Sequence, residues 1–361
     1  MEEEYLLNCW YVAGWDSELA EGQFQAVTIC DVPLLVYRTS DGEIVVLEDR
    51  CCHRMAPLSK GRLEDGCNVR CMYHGLKFDS SGQCIEIPGQ DVIPPAACVR
   101  RFAAVVRYDW IWVWMGDAGS ADEALLPYTP HTDRDDLIYR HGQIDYDANY
   151  ELVNDNLTDF THLAFVHGNS FMATEAWAHK RPTVKPIERG IRVTRWFRPE
   201  EAPLKAEAQS GDRVSGSLAD LAMFQSYDYL APGILLMYSA FFDPEMMPAD
   251  GVSRPEAKPM GLRVDLQAVT PMSSRRTRYF FRSGVRAGEG GEAMADRTKA
   301  VTEMAFAEDR EMIEAQQQIL DGRPGREVLI SSDVGPVQFR SVLRKLRSAE
   351  RELRPAEPET A

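Results

Sequence analysis

The stretch Asp155-Asn156-Leu157-Thr158-Asp159-Phe160-Thr161-His162-Leu163-Ala164-Phe165-Val166-His167 sets two imidazoles and two carboxylates among apolar groups that favour burial. A lone buried histidine is most often a satisfied core residue. Two of them beside carboxylates make the ligand set of a non-haem iron site with open positions. On a helix, Asp159 and His162 are three apart and share a face. His162 and His167, five apart, lie about 140° round a regular helix. One metal can reach both only if the helix is distorted or ends near His167. Gly168 and Asn169 are helix-stop residues and fit an end there.

A second constellation is Cys51-x-His53, seventeen residues, then Cys71-x2-His74. Two thiolates and two imidazoles can bind zinc or an iron–sulfur cluster. A one-residue gap from Cys to His is not the usual zinc-finger spacing. In a Rieske [2Fe–2S] centre, Cys51 and Cys71 ligate one iron and His53 and His74 the other. Arg54 offers no competing ligand, because a guanidinium only donates. Gly75 allows close backbone approach. Structural zinc is the alternative. All eight cysteines lie in the first 98 residues, a clustering that in a reducing compartment reads as metal binding sooner than disulfides. Cys9, Cys30, Cys84 and Cys98 read as buried small hydrophobes. Cys52 and Cys67 sit inside the two-loop region.

Runs such as 25–30, 33–38, 43–47, 102–107 and 110–115 are β-rich and predict a compact all-β domain over 1–120. Asp41-Gly42 supplies a hairpin turn. Residues 121–136 read as a linker. Strands at 191–198, 234–242, 261–270 and 276–283 predict a second sheet, and 203–222 and 248–258 long loops. Helices are predicted over 292–321 and 336–354, and a disordered tail over 355–361. The fold class is thus α+β. A facial triad needs one carboxylate beside His162 and His167, and no histidine follows His179. Val301, Ala305, Met312, Ile313 and Gln316 mark one face of the first long helix. Glu308 and Asp309 both lie on or beside that face, and periodicity does not choose between them.

Composition bounds the rest. The chain has 361 residues, 44% hydrophobic and 27% charged, with a net charge of −16, which argues against a nucleic-acid partner. No apolar run is long enough to span a membrane. The acidic start, Met1-Glu2-Glu3-Glu4, is unlike a signal peptide, and the expected location is cytoplasmic. No Gly-x-Gly-x-x-Gly fingerprint for a dinucleotide occurs, so NAD(P)H electrons are expected through a separate protein. Arg54, Arg62 and Arg70, or the last helix with Arg340, Arg344, Lys345 and Arg347, could form a local basic patch for an acidic redox partner. Met237, Tyr238 and Phe241, with Phe165 and Phe171, are a candidate aromatic-friendly pocket lining.

The two loops, Cys51-Cys52-His53-Arg54-Met55-Ala56-Pro57-Leu58 and Cys71-Met72-Tyr73-His74-Gly75-Leu76, together with Asn156-Leu157-x-Asp159-x2-His162-x4-His167, resemble the Rieske non-haem iron oxygenases. The resemblance runs in order over nearly the whole chain. Asn8-x-Trp10-Tyr11-Val12-Ala13 and Trp110-Ile111-Trp112-Val113-Trp114 place it in the vanillate O-demethylase and dicamba monooxygenase branch. Cys52 stands where that family usually has Pro. The resemblance implies a Rieske domain followed by a helix-grip (START-like) catalytic domain over 137–354. It implies a [2Fe–2S] cluster on Cys51, His53, Cys71 and His74, and Fe(II) on His162, His167 and, through Phe306-Ala307-Glu308-Asp309-Arg310, Asp309. Asn156 matches an Asn near the iron. Asp159 matches an Asp that bridges the ligating His162 to the cluster histidine, here His74, of a neighbouring subunit in a ring-shaped homotrimer. The implied activity is O2-dependent oxidation of an aromatic substrate, foremost aryl methyl ether O-demethylation with formaldehyde release. Ring cis-dihydroxylation and N-demethylation use the same scaffold. A zinc-stabilised binding module or electron carrier is the non-enzymatic rival. Electrons would come from a flavin and iron–sulfur reductase or a ferredoxin.

Overall fold

The structure, a computed structural model, describes residues 5–128, 134–168, 170, 173–201, 220–288, 291–323 and 325–353. Two compact units emerge, residues 1–126 with 270–274, and 127–269 with 275–361. Phe171, His131, most of the 203–222 segment and the 355–361 tail lie outside the described residues.

The first unit is all β. Its strands are β1 (Trp10–Trp15), β2 (Phe24–Ile29), β3 (Val32–Arg38), β4 (Ile44–Glu48), β5 (Arg62–Glu64), β6 (Asn68–Arg70), β7 (Lys77–Phe78), β8 (Cys84–Glu86), β9 (Arg101–Phe102), β10 (Ala104–Arg107) and β11 (Trp110–Trp114). They form three antiparallel sheets, ordered β1-β11-β10, β2-β3-β4-β9 and β5-β6-β7-β8. β11 is buried at every position, as its unbroken Trp/Ile/Val run predicts for a strand covered on both faces. The run expected at 102–107 is split between β9 and β10. Leu35, Tyr37, Val45, Leu47, Leu58, Val69 and Phe78 make a core that includes Cys51 and Cys71. Both cysteine loops are therefore anchored by packing. None of the eight cysteines is in a disulfide. Cys98 is exposed rather than buried, because it lies on the loop after β8.

The second unit continues with strands β12 (Leu137–Tyr146), β13 (Thr183–Ile187), β14 (Gly190–Phe197), β15 (Ala222–Leu230), β16 (Ile234–Phe242), β17 (Gly261–Ser273) and β18 (Arg276–Arg286). They build one antiparallel sheet ordered β12-β18-β17-β16-β15-β14-β13. Helices are α1 (Tyr150–Thr158), α2 (Leu163–Val166), α3 (Ala176–His179), α4 (Gly291–Gly322) and α5 (Val334–Leu353). α4 docks through the Tyr146 hydroxyl, which donates to the Phe306 carbonyl at 3.3 Å, and through Gln317, which accepts from the Asn149 amide at 2.9 Å. The buried stripe of α4 includes Thr302, Ala305, Phe306, Asp309, Ile313 and Gln317. Met312 and Gln316, expected on that stripe, point outward. The 3.6-residue period fitted either stripe, and the polar anchors Asp309 and Gln317 select the observed one.

Candidate functional site

Each cysteine loop closes in the same way. The Cys51 amide donates to the Ala56 carbonyl and the Met55 amide returns to the Cys51 carbonyl; Cys71 pairs likewise with Leu76 and Gly75. The residue four after each cysteine is left-handed, at φ 58° for Met55 and 79° for Gly75. Cysteines are buried while His53 and His74 are exposed, with ring centroids 4.5 Å apart. Burial, together with the neighbouring Cys71 thiol, pushes the Cys51 thiol up to about 11. Thiolates held this way need a cation, and the set of two sulfurs with two facing imidazoles fits a Rieske cluster. Cys52 instead packs against the core. Arg70 is not free for a partner: it pairs with Glu64 and Glu86, both at 2.8 Å, and donates to the Gly75 carbonyl at 2.7 Å. Arg62, Arg340 and Arg347 are likewise in ion pairs.

In the second unit α1 starts on an Asn149 cap, whose side chain accepts from the Glu151 amide at 2.7 Å, a device worth about 1 kcal/mol. The chain does not stay helical through the histidines. Asp159 is extended, at φ −133° and ψ 106°, a 3-10 turn covers Phe160–His162, and α2 ends at His167. The break solves the 140° problem. His162 and His167 come together, ring centroids 5.3 Å apart, and Nε2 of each approaches Asp309 Oδ1, at 3.4 and 3.2 Å. The ligand atoms of His162, His167 and Asp309 all lie within 4.8 Å of one another.

The outer nitrogens fix the tautomers. His162 Nδ1 donates to the backbone carbonyl of Asp159 at 2.7 Å. His167 Nδ1 donates to Glu308 Oε2 at 2.9 Å, which also accepts from Ser170 at 2.5 Å. Both Nε2 lone pairs are thus turned inward, as a metal requires. Asn156 donates to Asp309 Oδ1 at 3.0 Å. Burial depresses the His162 pKa. Burial also opposes charge on His167, but Asp309 and Glu308 outweigh it and raise that pKa. One expectation is corrected. The Asp159 carboxylate does not hold the His162 ring, because the extended backbone turns its carbonyl there instead. The carboxylate accepts from the Thr161 amide at 2.9 Å and hydroxyl at 3.0 Å. Glu308, left as the lesser choice for the third ligand, is the carboxylate that orients an imidazole. Its position beside Asp309 on one helix was the only signal for it.

A pocket opens over the triad, lined by Phe160, Trp177, Met237, Phe241 and Phe306 among others. Met237 and Phe241 line it as expected. Tyr238 faces the opposite side of the sheet, since side chains alternate along a strand. Phe165 is 77% exposed and is not a wall.

A cysteine–histidine pair of loops in an all-β unit, and a His/His/Asp triad beneath an apolar pocket, define an oxygenase with a cluster for electrons and an iron for O2. Residues 9–101 match the Rieske [2Fe–2S] domain and residues 146–349 the vanillate O-demethylase oxygenase C-terminal domain. The chain belongs to this family of Rieske oxygenase components, and its cofactors are a [2Fe–2S] cluster and a mononuclear non-haem iron. It is 38% identical to the iron–sulfur subunit of the toluene-4-sulfonate monooxygenase system of Comamonas testosteroni, over 96% of this chain and 98% of that one. It is 30% identical to a vanillate O-demethylase oxygenase subunit from Pseudomonas sp., over 96% of each. The crystal structure of dicamba monooxygenase bound to 3,6-dichlorosalicylic acid superposes with a TM-score of 0.84 at 27% identity, covering 98% of this chain and all of that one. Among the described residues no helix is long and apolar enough to cross a membrane.

Proposed function

We propose that this protein is the oxygenase component of a multicomponent monooxygenase that oxidises a methyl group on an aromatic substrate, releasing the methyl of an aryl methyl ether as formaldehyde. The supporting observation is the convergence of His162, His167 and Asp309 at the floor of an aromatic-lined pocket. In this reading those three hold the iron, and Cys51, His53, Cys71 and His74 hold the cluster. Bound iron supplies O2 activation at its open positions. The chain's own residues do the positioning. Glu308 and the Asp159 carbonyl lock the imidazoles, Asn156 holds the Asp309 carboxylate, and Phe160, Trp177 and Phe306 exclude water and stack the arene. One oxygen atom enters the methyl C–H bond and the other leaves as water, taking two electrons from NAD(P)H and two protons. The hemiacetal then splits into a phenol and formaldehyde.

Electrons reach the exposed His53 and His74 from a reductase or ferredoxin. Asp159 keeps lone pairs beyond its Thr161 bonds, which can accept a proton from His74 of a neighbouring copy; the assembly is a head-to-tail homotrimer in the cytoplasm. Changing Asp159 to Asn then preserves both metals and slows reoxidation of the reduced cluster in single turnover; unaltered reoxidation refutes the bridge.

A second reading is hydroxylation of a ring-bound methyl. It is favoured by the 38% identity to a toluene-4-sulfonate monooxygenase subunit over nearly full length. Turnover with NADH, a surrogate reductase, aryl methyl ethers and methylarenes separates the two: formaldehyde supports the first, a benzylic alcohol the second. Arene cis-diols as sole products overturn both.

A further inference from the structure

The second cysteine loop, Cys71 to Leu76, is bordered by a row of charge. Across β5, β6, β7 and β8, Arg62 stands opposite Arg70, Arg70 opposite Lys77 and Lys77 opposite Glu86. Directly opposed residues leave a sheet on the same face, where like charges repel. Three cations in one row are therefore unfavourable by themselves, and carboxylates are threaded between them. Arg62 and Arg70 both bind Glu64, at 2.7 and 2.8 Å. Lys77 pairs with Asp65 and lies 3.6 Å from Glu64. Hydrogen bonds from Arg70 and Arg62 hold the Glu64 carboxyl down to about 2, so the row stays ionised.

Arg70 is the member that reaches the loop, and all five of its N–H groups are used. Nη1 donates to the Gly75 carbonyl at 2.7 Å and to Glu86 at 2.8 Å, Nη2 to Glu86 and Glu64, both at 2.8 Å, and Nε to Glu64 at 3.0 Å. The bonds to carboxylates fix the guanidinium, and the remaining one fixes the residue after His74. The Gly75 amide in turn closes the loop on the Cys71 carbonyl. The row is also layered. The Arg70 and Lys77 side chains are 14% and 11% exposed, against 50% for Glu86 and 66% for Asp65. Those two cations lie inward, and those two carboxylates lie outward, where water and salt screen them. The interior on this side therefore feels the cations more than the anions. At the first loop the bridging group is an anion: the Asp49 carboxylate accepts from the Ser59 amide and hydroxyl, both at 2.6 Å.

We propose that Arg70 positions the His74 loop and, with Lys77, sets the reduction potential of the cluster, raising it above the value that the ligands alone would give. When the bound cluster takes one electron from its donor protein, the charge of the site falls by one. A fixed cation beside the loop stabilises that reduced form, and a carboxylate opposes it. The row thus favours uptake of the electron. The inference rests on Cys51, His53, Cys71 and His74 holding the cluster, and is independent of which substrate is oxidised.

Redox titration of the holoprotein, read by the reduced-state EPR signal, tests it. In Arg70→Met the ratio of reduced to oxidised cluster at the native midpoint should fall about 3- to 10-fold, a downward shift of about 30–60 mV. Glu86→Gln removes an anion and keeps a hydrogen-bonding amide. It should move the midpoint upward, by less, because Glu86 is half-exposed and screened. Arg70→Lys keeps the charge without the fork and should hold the ratio within about twofold of native. Should Arg70→Met fail to assemble the cluster, Lys77→Met takes its place with the same sign expected. A merely loosened loop would shift the cation and carboxylate variants in one direction, whereas shifts of opposite sign follow charge. Shifts of the same sign, no shift on removing the cation, or an Arg70→Lys shift as large as that of Arg70→Met overturn the assignment. Absence of a Rieske EPR signal from the unaltered protein would instead overturn the ligand reading, and this inference with it.

Discussion

The cysteine loops and the histidine–aspartate triad solve opposite problems. In the first, the cysteines are buried and the imidazoles exposed, and every closing bond is between residues four or five apart. In the second, His167 is 1% and Asp309 4% exposed, and the parts come from segments 141 residues apart and more. A centre that takes electrons from another protein must present its ligands, and local turns suffice to hold them. A centre that oxidises a C–H bond must be sheltered, and shelter requires distant elements to close over it.

Asp309→Ala should break the second centre alone. Mononuclear iron and product formation are lost, while iron–sulfide analysis and the reduced-state EPR signal of the cluster persist. Cys71→Ser should do the reverse. Retention of both metals in the Asp309 variant would hand the ligand role to Glu308. Next in size is Glu308→Ala, which removes the carboxylate that accepts from His167 Nδ1. Iron affinity, followed by chelator competition, should fall about 10- to 100-fold; an unchanged affinity would remove Glu308 from the site.

The third test concerns the brace behind α1. Arg340 on α5 grips Asp155 through Nε at 2.9 Å and through Nη2, and Glu327 at 2.9 Å. Burial pushes the Asp155 carboxyl up to about 6 from an ordinary 3.8, even against Arg340. Because the folded value is raised, the contribution of Asp155 to stability is full below about pH 4 and is lost as pH rises through about 6. Arg340→Met strands the carboxylate and should cost about 1–3 kcal/mol at pH 8. The loss should be smaller at pH 5, where Asp155 can take up a proton; urea unfolding at the two pH values measures this, and a pH-independent loss would mean that the Arg340 contact is mere packing. The smallest effect separates the two loops. Gly75→Ala places a Cβ 2.7 Å from Pro88 Cγ at a left-handed φ and should destabilise by about 1–2 kcal/mol. Met55→Gly relieves the same backbone state and should stabilise by about 0.5 kcal/mol, read from thermal unfolding.

Much of this was legible in the chain. Strands whose apolar residues alternate or run unbroken, such as β3, β11 and β16, were found almost to the residue. β12, β13 and β15 were missed, because mixed sequences such as Leu137–Tyr146 become strands only by pairing with β18. His162 and His167 could be read as a pair, since their types and spacing are local. Their approach depends on the break at Asp159; the sequence required a distortion or an end near His167 but did not place it at that residue. Phe165 and Tyr238 were misplaced as pocket walls for want of knowing which face of each element turns inward.

The sequence by itself determined the ligand chemistry: thiols with imidazoles in the first 98 residues, and imidazoles with carboxylates afterwards. Side-chain type and short-range spacing are covalent facts. Only the tertiary structure decided that Asp309 meets both Nε2 atoms and that Glu308 holds His167 from behind. Those depend on helix rotation and strand register, which are set by what the whole chain buries together.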